Sequence, residues 1–254
     1  MQIEVALTPK LLRQPRRYAV AVVDVLRAST SLVAMHENGL LRAIVSENIH
    51  QARQLSRANF SLLCGEVKAV PPAGFDYGNS PAEFAALSFK GKSAVMMTTN
   101  GTRAIAAASG APFVAIAALT NRAAAAKRLM DEGGRRGLDI AVVCAGADRG
   151  ASFALEDTAA AGAIVEAMHE ADAALHLADS AWAALHLWRW YRGDAMRAFR
   201  QSRHGRGLLD KGFEADLRYA ARLDVSAAVP TLSIEHGVCV LRAGPPRTKT
   251  ARGS

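Results

Sequence analysis

Four short apolar runs, each breaking off into polar residues at its far end, restrict this chain to an alternating α/β fold. Residues 18–23 stop at Asp24, residues 61–64 at Gly65-Glu66, and residues 95–97 at Thr98-Thr99-Asn100-Gly101-Thr102-Arg103. Residues 139–144 stop at Ala145-Gly146-Ala147-Asp148-Arg149. Continuous apolar runs of this length suit strands buried on both faces, and segments with helical apolar spacing separate them, the pattern of a largely parallel sheet. Residues 42–46 and 112–117 supply two further strands. Helices are expected up to Asn38-Gly39, over 47–58, after Arg103, and from Thr120 or Asn121 to a stop at Gly133-Gly134. Ser80-Pro81 with Glu83 reads as an N-cap, a Pro at the first helical position and a capping-box glutamate. Residues 1–17 read as a polar lead-in, 171–201 as a packed helix pair rich in aromatics, and Pro230 to Gly237 as a last apolar stretch.

The length of 254 residues accommodates one α/β domain over residues 1–242, followed by a basic, solvated tail at 243–254. Half the residues are hydrophobic, yet no run approaches the ~20 apolar residues of a membrane span. The first residues lack the basic-then-apolar order of a secretory signal, so a cytoplasmic protein with no membrane partner is expected. Cys64, Cys144 and Cys239 are too scattered for a disulfide framework or a zinc site. A formal net charge of +8 raises nucleic acid as a partner. The basic residues are dispersed and no aromatic platform accompanies them, so a small polyanion explains the charge better. A homo-oligomer is compatible with all of this.

Ligands of open α/β sheets bind outside the carboxyl ends of the strands. If the strands are largely parallel, one crevice collects Asp24 with Arg27, Glu66, Asn100 with Gly101, Thr102 and Arg103, and Asp148 with Arg149. The Thr98–Arg103 stretch sets amides, hydroxyls and a guanidinium at a helix N-terminus, where an anion is favoured. An ordinary N-capped connection would carry the same residues. Asn79, at the end of the Pro/Gly-rich loop 71–81, serves either the loop or a ligand. Glu156 and Asp157 open a helix, where acidic residues commonly do no more than meet the helix dipole. His204, beside Gly205 and outside the apolar periodicity, stands out among the histidines. Carboxylates and arginines together suit a phosphorylated substrate held with Mg²⁺. Neither a DxDx(T/V) motif at Asp24, nor a Cys-x5-Arg loop, nor a GxxxxGK(S/T) loop is present, so a covalent nucleophile has no signature.

Seven segments, in order, resemble the 2-phosphosulfolactate phosphatase family: residues 23–30, Gly65-Glu66, residues 74–81, residues 98–104, Cys144-Ala145-Gly146, Ser152 with residues 155–158, and Ser202-Arg203-His204-Gly205. Residues 67–70, 171–201 and the Asp148-Arg149 pair depart from that pattern. The resemblance implies a three-layer α/β/α fold with a mixed, largely parallel sheet. It also implies a Mg²⁺-dependent phosphatase converting 2-phospho-3-sulfolactate to 3-sulfolactate, a step of coenzyme M biosynthesis. On that basis Asp24, Glu66 and Asp157 are expected at the metal, with Arg27, Arg103 and the Asn100–Thr102 amides facing the phosphoryl group. His204 or Arg149 would supply a second anion subsite for the sulfonate, or His204 would protonate the leaving alkoxide. Asn79, Asp148 and Arg149 complete the expected substrate contacts. The alternatives are a phosphatase of another phospho-2-hydroxy acid and a non-catalytic sensor of an anionic metabolite.

Overall fold

The computed structural model describes residues 1–243. Ten strands are present among them: β1 (Gln2–Ala6), β2 (Tyr18–Val23), β3 (Arg42–Ser46), β4 (Leu62–Gly65), β5 (Ser93–Met97), β6 (Phe113–Ile116), β7 (Asp139–Cys144), β8 (His176–Leu177), β9 (Pro230–Glu235) and β10 (Val238–Ala243). The helices are α1 (Ala28–Glu37), α2 (Ile49–Asn59), α3 (Pro81–Ala86), α4 (Gly101–Ala108), α5 (Arg122–Arg136), α6 (Leu155–Ala171), α7 (Asp179–Trp190), α8 (Ala195–Gln201), α9 (Arg203–Leu209) and α10 (Glu214–Ala220).

All strands join one mixed, mostly parallel sheet in the order β4-β5-β3-β10-β9-β6-β2-β7-β1-β8. The β9–β10 hairpin sits in its middle. It pairs antiparallel with β3 on one side and β6 on the other, so the parallel halves β4-β5-β3 and β6-β2-β7-β1-β8 run in opposite directions. Alternate residues then explain the layers. Val20 and Val22 of β2 share a core with Val45 of β3, Met96 of β5, and Leu32, Ile105 and Phe84 of α1, α4 and α3. Both halves therefore press the same face onto one inner helix layer, and the sheet folds around it. The opposite faces are covered by α5 to α8 on one half and by α2 on the other. This is the three-layer α/β/α arrangement.

Three elements differ from the sequence reading. The lead-in contains β1, an interior strand between β7 and β8, because Ile3 and Val5 alternate inward while Glu4 takes the hydroxyl of Tyr18. Helix α5 passes through Gly133-Gly134 and ends at Gly137, whose φ of +64° supplies the left-handed turn. Residues 171–201 divide into β8, α7 and α8. The expected N-cap at Ser80 is formed, its hydroxyl accepting from the Glu83 amide. Ala243 closes β10, and the remainder of the expected tail lies outside the described residues.

Helix α6 carries Glu156 of the crevice described below, and its position is set by close backbone packing against α7. A methyl group on Gly162 would collide with the carbonyl of Ala184 and meet Trp188 Cβ. Gly162→Ala is therefore expected to destabilise the fold by about 1–3 kcal/mol, read as a lowered chemical-denaturation midpoint; a wild-type midpoint would show that the two helices can part without loss.

Candidate active site

The functional groups meet where the helix N-termini of α1 and α4 converge. Asp24 follows β2, and its Oδ1 accepts the Ala28 amide at the start of α1 while its own amide donates to Ser29 Oγ. Gly101 opens α4 directly against it. A Cβ there would lie 2.5 Å from Ala28 Cβ and 2.7 Å from Asp24 Oδ2, so glycine is required for the two helices to approach. Thr102 is committed internally: its amide donates to Thr98 Oγ1, and its hydroxyl donates to the Thr98 carbonyl. Glu66, after β4, braces two loops, with Oε1 accepting the Thr99 amide at 2.8 Å and Oε2 accepting the Ala69 amide at 2.7 Å.

A cavity of about 550 Å³ opens over these strand ends, walled by Glu66, Thr99, Asn100, Asp148, Glu156 and His204 among others. The cavity is also lined by Arg203 and Lys211 of α9 and the residues after it, and by Lys68 of the turn after Glu66. His204 Nδ1 lies 3.4 Å from Glu156 Oε1. Burial alone would depress the imidazole, but the Glu156 contact and the charges of Glu156, Asp24 and Glu66 outweigh it and raise its pKa above the ordinary histidine value. Burial pushes the Asp24 carboxyl up to about 6; His204 and the Ala28 amide oppose this, and Glu66 and Glu156 add to it.

Of the residues expected from the sequence, Asp24, Glu66, Asn100, Gly101, Asp148 and His204 are gathered at or beside this cavity. Others are directed elsewhere. Asp157 is turned away from it, accepting the amides of Val25 at 2.9 Å and Gly146 at 3.0 Å, and burial holds it well above the usual carboxylate range. Its neighbour Glu156 faces the cavity instead. Arg27 is buried with Asp216 at 2.7 Å, donates to the Ala69 carbonyl and lies over the Phe213 ring. Arg103 reaches outward to Glu47 at 3.8 Å. Arg149 engages Asn100 Oδ1 through its backbone amide, and Asn79 is buried beneath α1 with Ser31 donating to its carbonyl. Within the cavity Asp148 pairs with Arg203 at 2.9 Å. Sequence reasoning weighed Glu156 only as a partner of the helix dipole and did not single out Lys68, Arg203 or Lys211 as site residues. The one usable signal was the adjacency of Glu156 and Asp157 at a helix start, since only one of them can face a crevice.

The expected set of Asp24, Glu66 and Asp157 is not assembled as a metal shell. Among the described residues no group of three or more His, Cys, Asp or Glu side chains is placed to hold a metal ion. Mg²⁺ usually needs only one or two carboxylates, with waters and substrate phosphate completing its shell. Asp24 and Glu66 are hard oxygen donors of that kind. Burial is the main cause that raises the Asp24 carboxyl, and Glu66 and Glu156 add to it, so a divalent cation at Asp24 and Glu66 would meet carboxylates that gain from a counter-charge.

An α/β enzyme with a polar, charge-lined crevice at its strand ends is the class that the fold and site define, and similarity to known proteins makes it a phosphoric monoester hydrolase. The chain belongs to the 2-phosphosulpholactate phosphatase family, whose model matches residues 6–235. It is 37% identical over 215 residues to a probable 2-phosphosulfolactate phosphatase of Symbiobacterium thermophilum, covering 84% of this chain and 90% of that one. It is 38% identical over 218 residues to one of the same name from Parasynechococcus marenigrum, covering 84% and 88%. A third, from Carboxydothermus hydrogenoformans, is 31% identical over 244 residues, 96% of this chain and 98% of its own. Among the described residues no helix is long and apolar enough to cross a membrane.

Proposed function

We propose that this chain hydrolyses 2-phospho-3-sulfolactate to 3-sulfolactate and inorganic phosphate, with Mg²⁺ as cofactor and a small polyanion as its partner. The observation that carries the reading is the pairing of an imidazolium-favouring His204–Glu156 couple with the carboxylates Asp24 and Glu66 across one crevice. Family membership supplies the substrate class.

Asp24 and Glu66 would hold the metal, which, when bound, neutralises phosphoryl charge and acidifies a coordinated water. The remaining chemistry belongs to side chains of this chain. Glu156, with Asp24 and Glu66, favours the protonated form of His204, and His204 Nε2 donates that proton to the alkoxide oxygen as the phosphorus–oxygen bond breaks. Glu66 fixes the Thr99 amide, and with it the loop that faces the phosphate, by its 2.8 Å hydrogen bond. Orientation of this kind accounts for much of phosphoryl-transfer catalysis.

Phosphate release from 2-phospho-3-sulfolactate, measured after chelation and after Mg²⁺ is restored, tests the proposal. Turnover lost to chelator and recovered with Mg²⁺ is expected. Equal turnover in chelator removes the metal from the reading, and no release with Mg²⁺ present and the protein folded removes the reaction.

A further inference from the structure

We infer that Lys68 and Lys211 form the subsite for the second strongly acidic group of the substrate, and that Lys68 is the residue by which the enzyme tells a sulfonated phosphoester from one without the sulfonate. This inference rests on the phosphatase reading above and assigns the end of the crevice which that reading leaves open.

The argument begins with backbone strain. Lys68 and Ala69 both have positive φ, +54° and +75°, and together form a two-residue turn closed by mutual hydrogen bonds between Val67 and Val70. Such a turn ordinarily uses Asn or Gly, because side chains with a Cβ are disfavoured in the left-handed region. Strain of this sort persists only where the surroundings overdetermine it. Here three anchors do so. The Ala69 amide donates to Glu66 Oε2 at 2.7 Å, the Ala69 carbonyl accepts from Arg27 at 2.8 Å, and the Lys68 carbonyl accepts from Lys211 Nζ at 3.0 Å. The Arg27 anchor is itself locked by its buried pair with Asp216. A turn held this firmly beside a catalytic carboxylate delivers one exposed side chain, that of Lys68, to the cavity wall.

Charge accounting at the cavity points the same way. Arg203 is spent on Asp148, at 2.9 and 3.2 Å, and His204 on Glu156. Among the described residues neither Lys68 nor Lys211 has a carboxylate partner, and the two come together from separate segments of the chain, 143 residues apart. Two lysines that line one cavity with no carboxylate partner suit a compact oxyanion, for which Lys acts as a point charge. Both lysines line the same cavity as Thr99 and Asn100, so a phosphoryl group held at the strand-end loop leaves the lysines to the sulfonate.

The test compares wild type, Lys68→Met and Lys211→Met with 2-phospho-3-sulfolactate and with 2-phospholactate, which lacks the sulfonate. Binding of the products 3-sulfolactate and lactate is followed by calorimetry. The preference in kcat/KM for the sulfonated ester is expected to fall at least tenfold in Lys68→Met, through KM, and the calorimetric preference for 3-sulfolactate should shrink in parallel. Lys68→Arg, which keeps the charge, should restore most of both. A Lys68→Met enzyme that keeps the wild-type preference overturns the subsite, as does a wild-type protein that binds the two products equally. Preferential binding of 3-sulfolactate that Lys68→Met abolishes, in a wild type that hydrolyses neither ester, upholds the subsite and overturns the catalytic reading alone.

Discussion

Replacing Arg27 by alanine is expected to cost about 3–5 kcal/mol of stability, the largest effect of any single surface-remote substitution considered, because it strands a buried carboxylate. Asp216 is as inaccessible as Arg27, with both side chains only 2% exposed, and it also receives the Ser80 hydroxyl and, at 3.3 Å, the Ala82 amide. Without the guanidinium those two donors leave the negative charge uncompensated. The Ala69 carbonyl loses its donor and the Phe213 ring loses its cationic cover at the same time. For a chain of this size the loss corresponds to a fall of roughly 6–20 °C in Tm. Arg27→Met combined with Asp216→Leu should recover much of the deficit, since an apolar pair of similar volume removes the stranded charge. Differential scanning calorimetry of the two variants decides the matter. A single variant with wild-type Tm and abolished turnover would return Arg27 to the phosphate-binding role that its sequence position suggests.

That contrast shows where the sequence could be read and where it could not. Asp24, Glu66 and Asn100 were accessible because each lies within three residues of the end of a run of buried strand residues, and the end of such a run is a local signal. The destination of Arg27 was not accessible. Its partner Asp216 is 189 residues away, on α10, a helix docked against α3, α8 and α9. The choice between Glu156 and Asp157 failed for a related reason. Adjacent helical residues point about 100° apart, and which one meets the crevice is fixed by how α6 is rotated against α7 and β7, not by the two residues themselves. Arg103 illustrates the opposite hazard, a local motif completed by a residue that packs outward against Glu47.

The fold divides along the same line. Strands β2, β3 and β7 lie where their apolar runs predict, because buried strands declare themselves by composition. The sheet order does not follow from such runs. Insertion of the C-terminal β9–β10 hairpin between β3 and β6 is a non-local pairing, and it reverses one half of the sheet relative to the other. The sequence reading gathered Asp24 and Asn100 into one crevice on the assumption of largely parallel strands. The two loops do come together, although their strands lie in oppositely running halves of the sheet, because the starts of α1 and α4 touch at Gly101. Lys68 had no signal at all, since its turn lacks the glycine or asparagine that usually marks one.

The second large effect concerns His204. On the proposed chemistry His204→Ala should lower kcat by about 10²–10⁴, the usual contribution of a positioned general acid. The pH dependence makes the assignment specific. The group must be protonated to act, so activity is lost as pH rises through its pKa, and in this site that pKa lies above the ordinary histidine value. The alkaline limb of the kcat profile is therefore expected above about pH 6.5. Glu156→Gln removes the charge 3.4 Å from Nδ1 that, with those of Asp24 and Glu66, outweighs the effect of burial. Its alkaline limb should shift to lower pH, with activity at acidic pH retained better than at pH 8. A purely structural role for Glu156 would lower the profile without moving it, so the position of the limb, and not its height, distinguishes the two. If the limb stays in place in Glu156→Gln but disappears in His204→Ala, the acid is still His204 and its proton affinity is set by Asp24 and Glu66, the other carboxylates facing it.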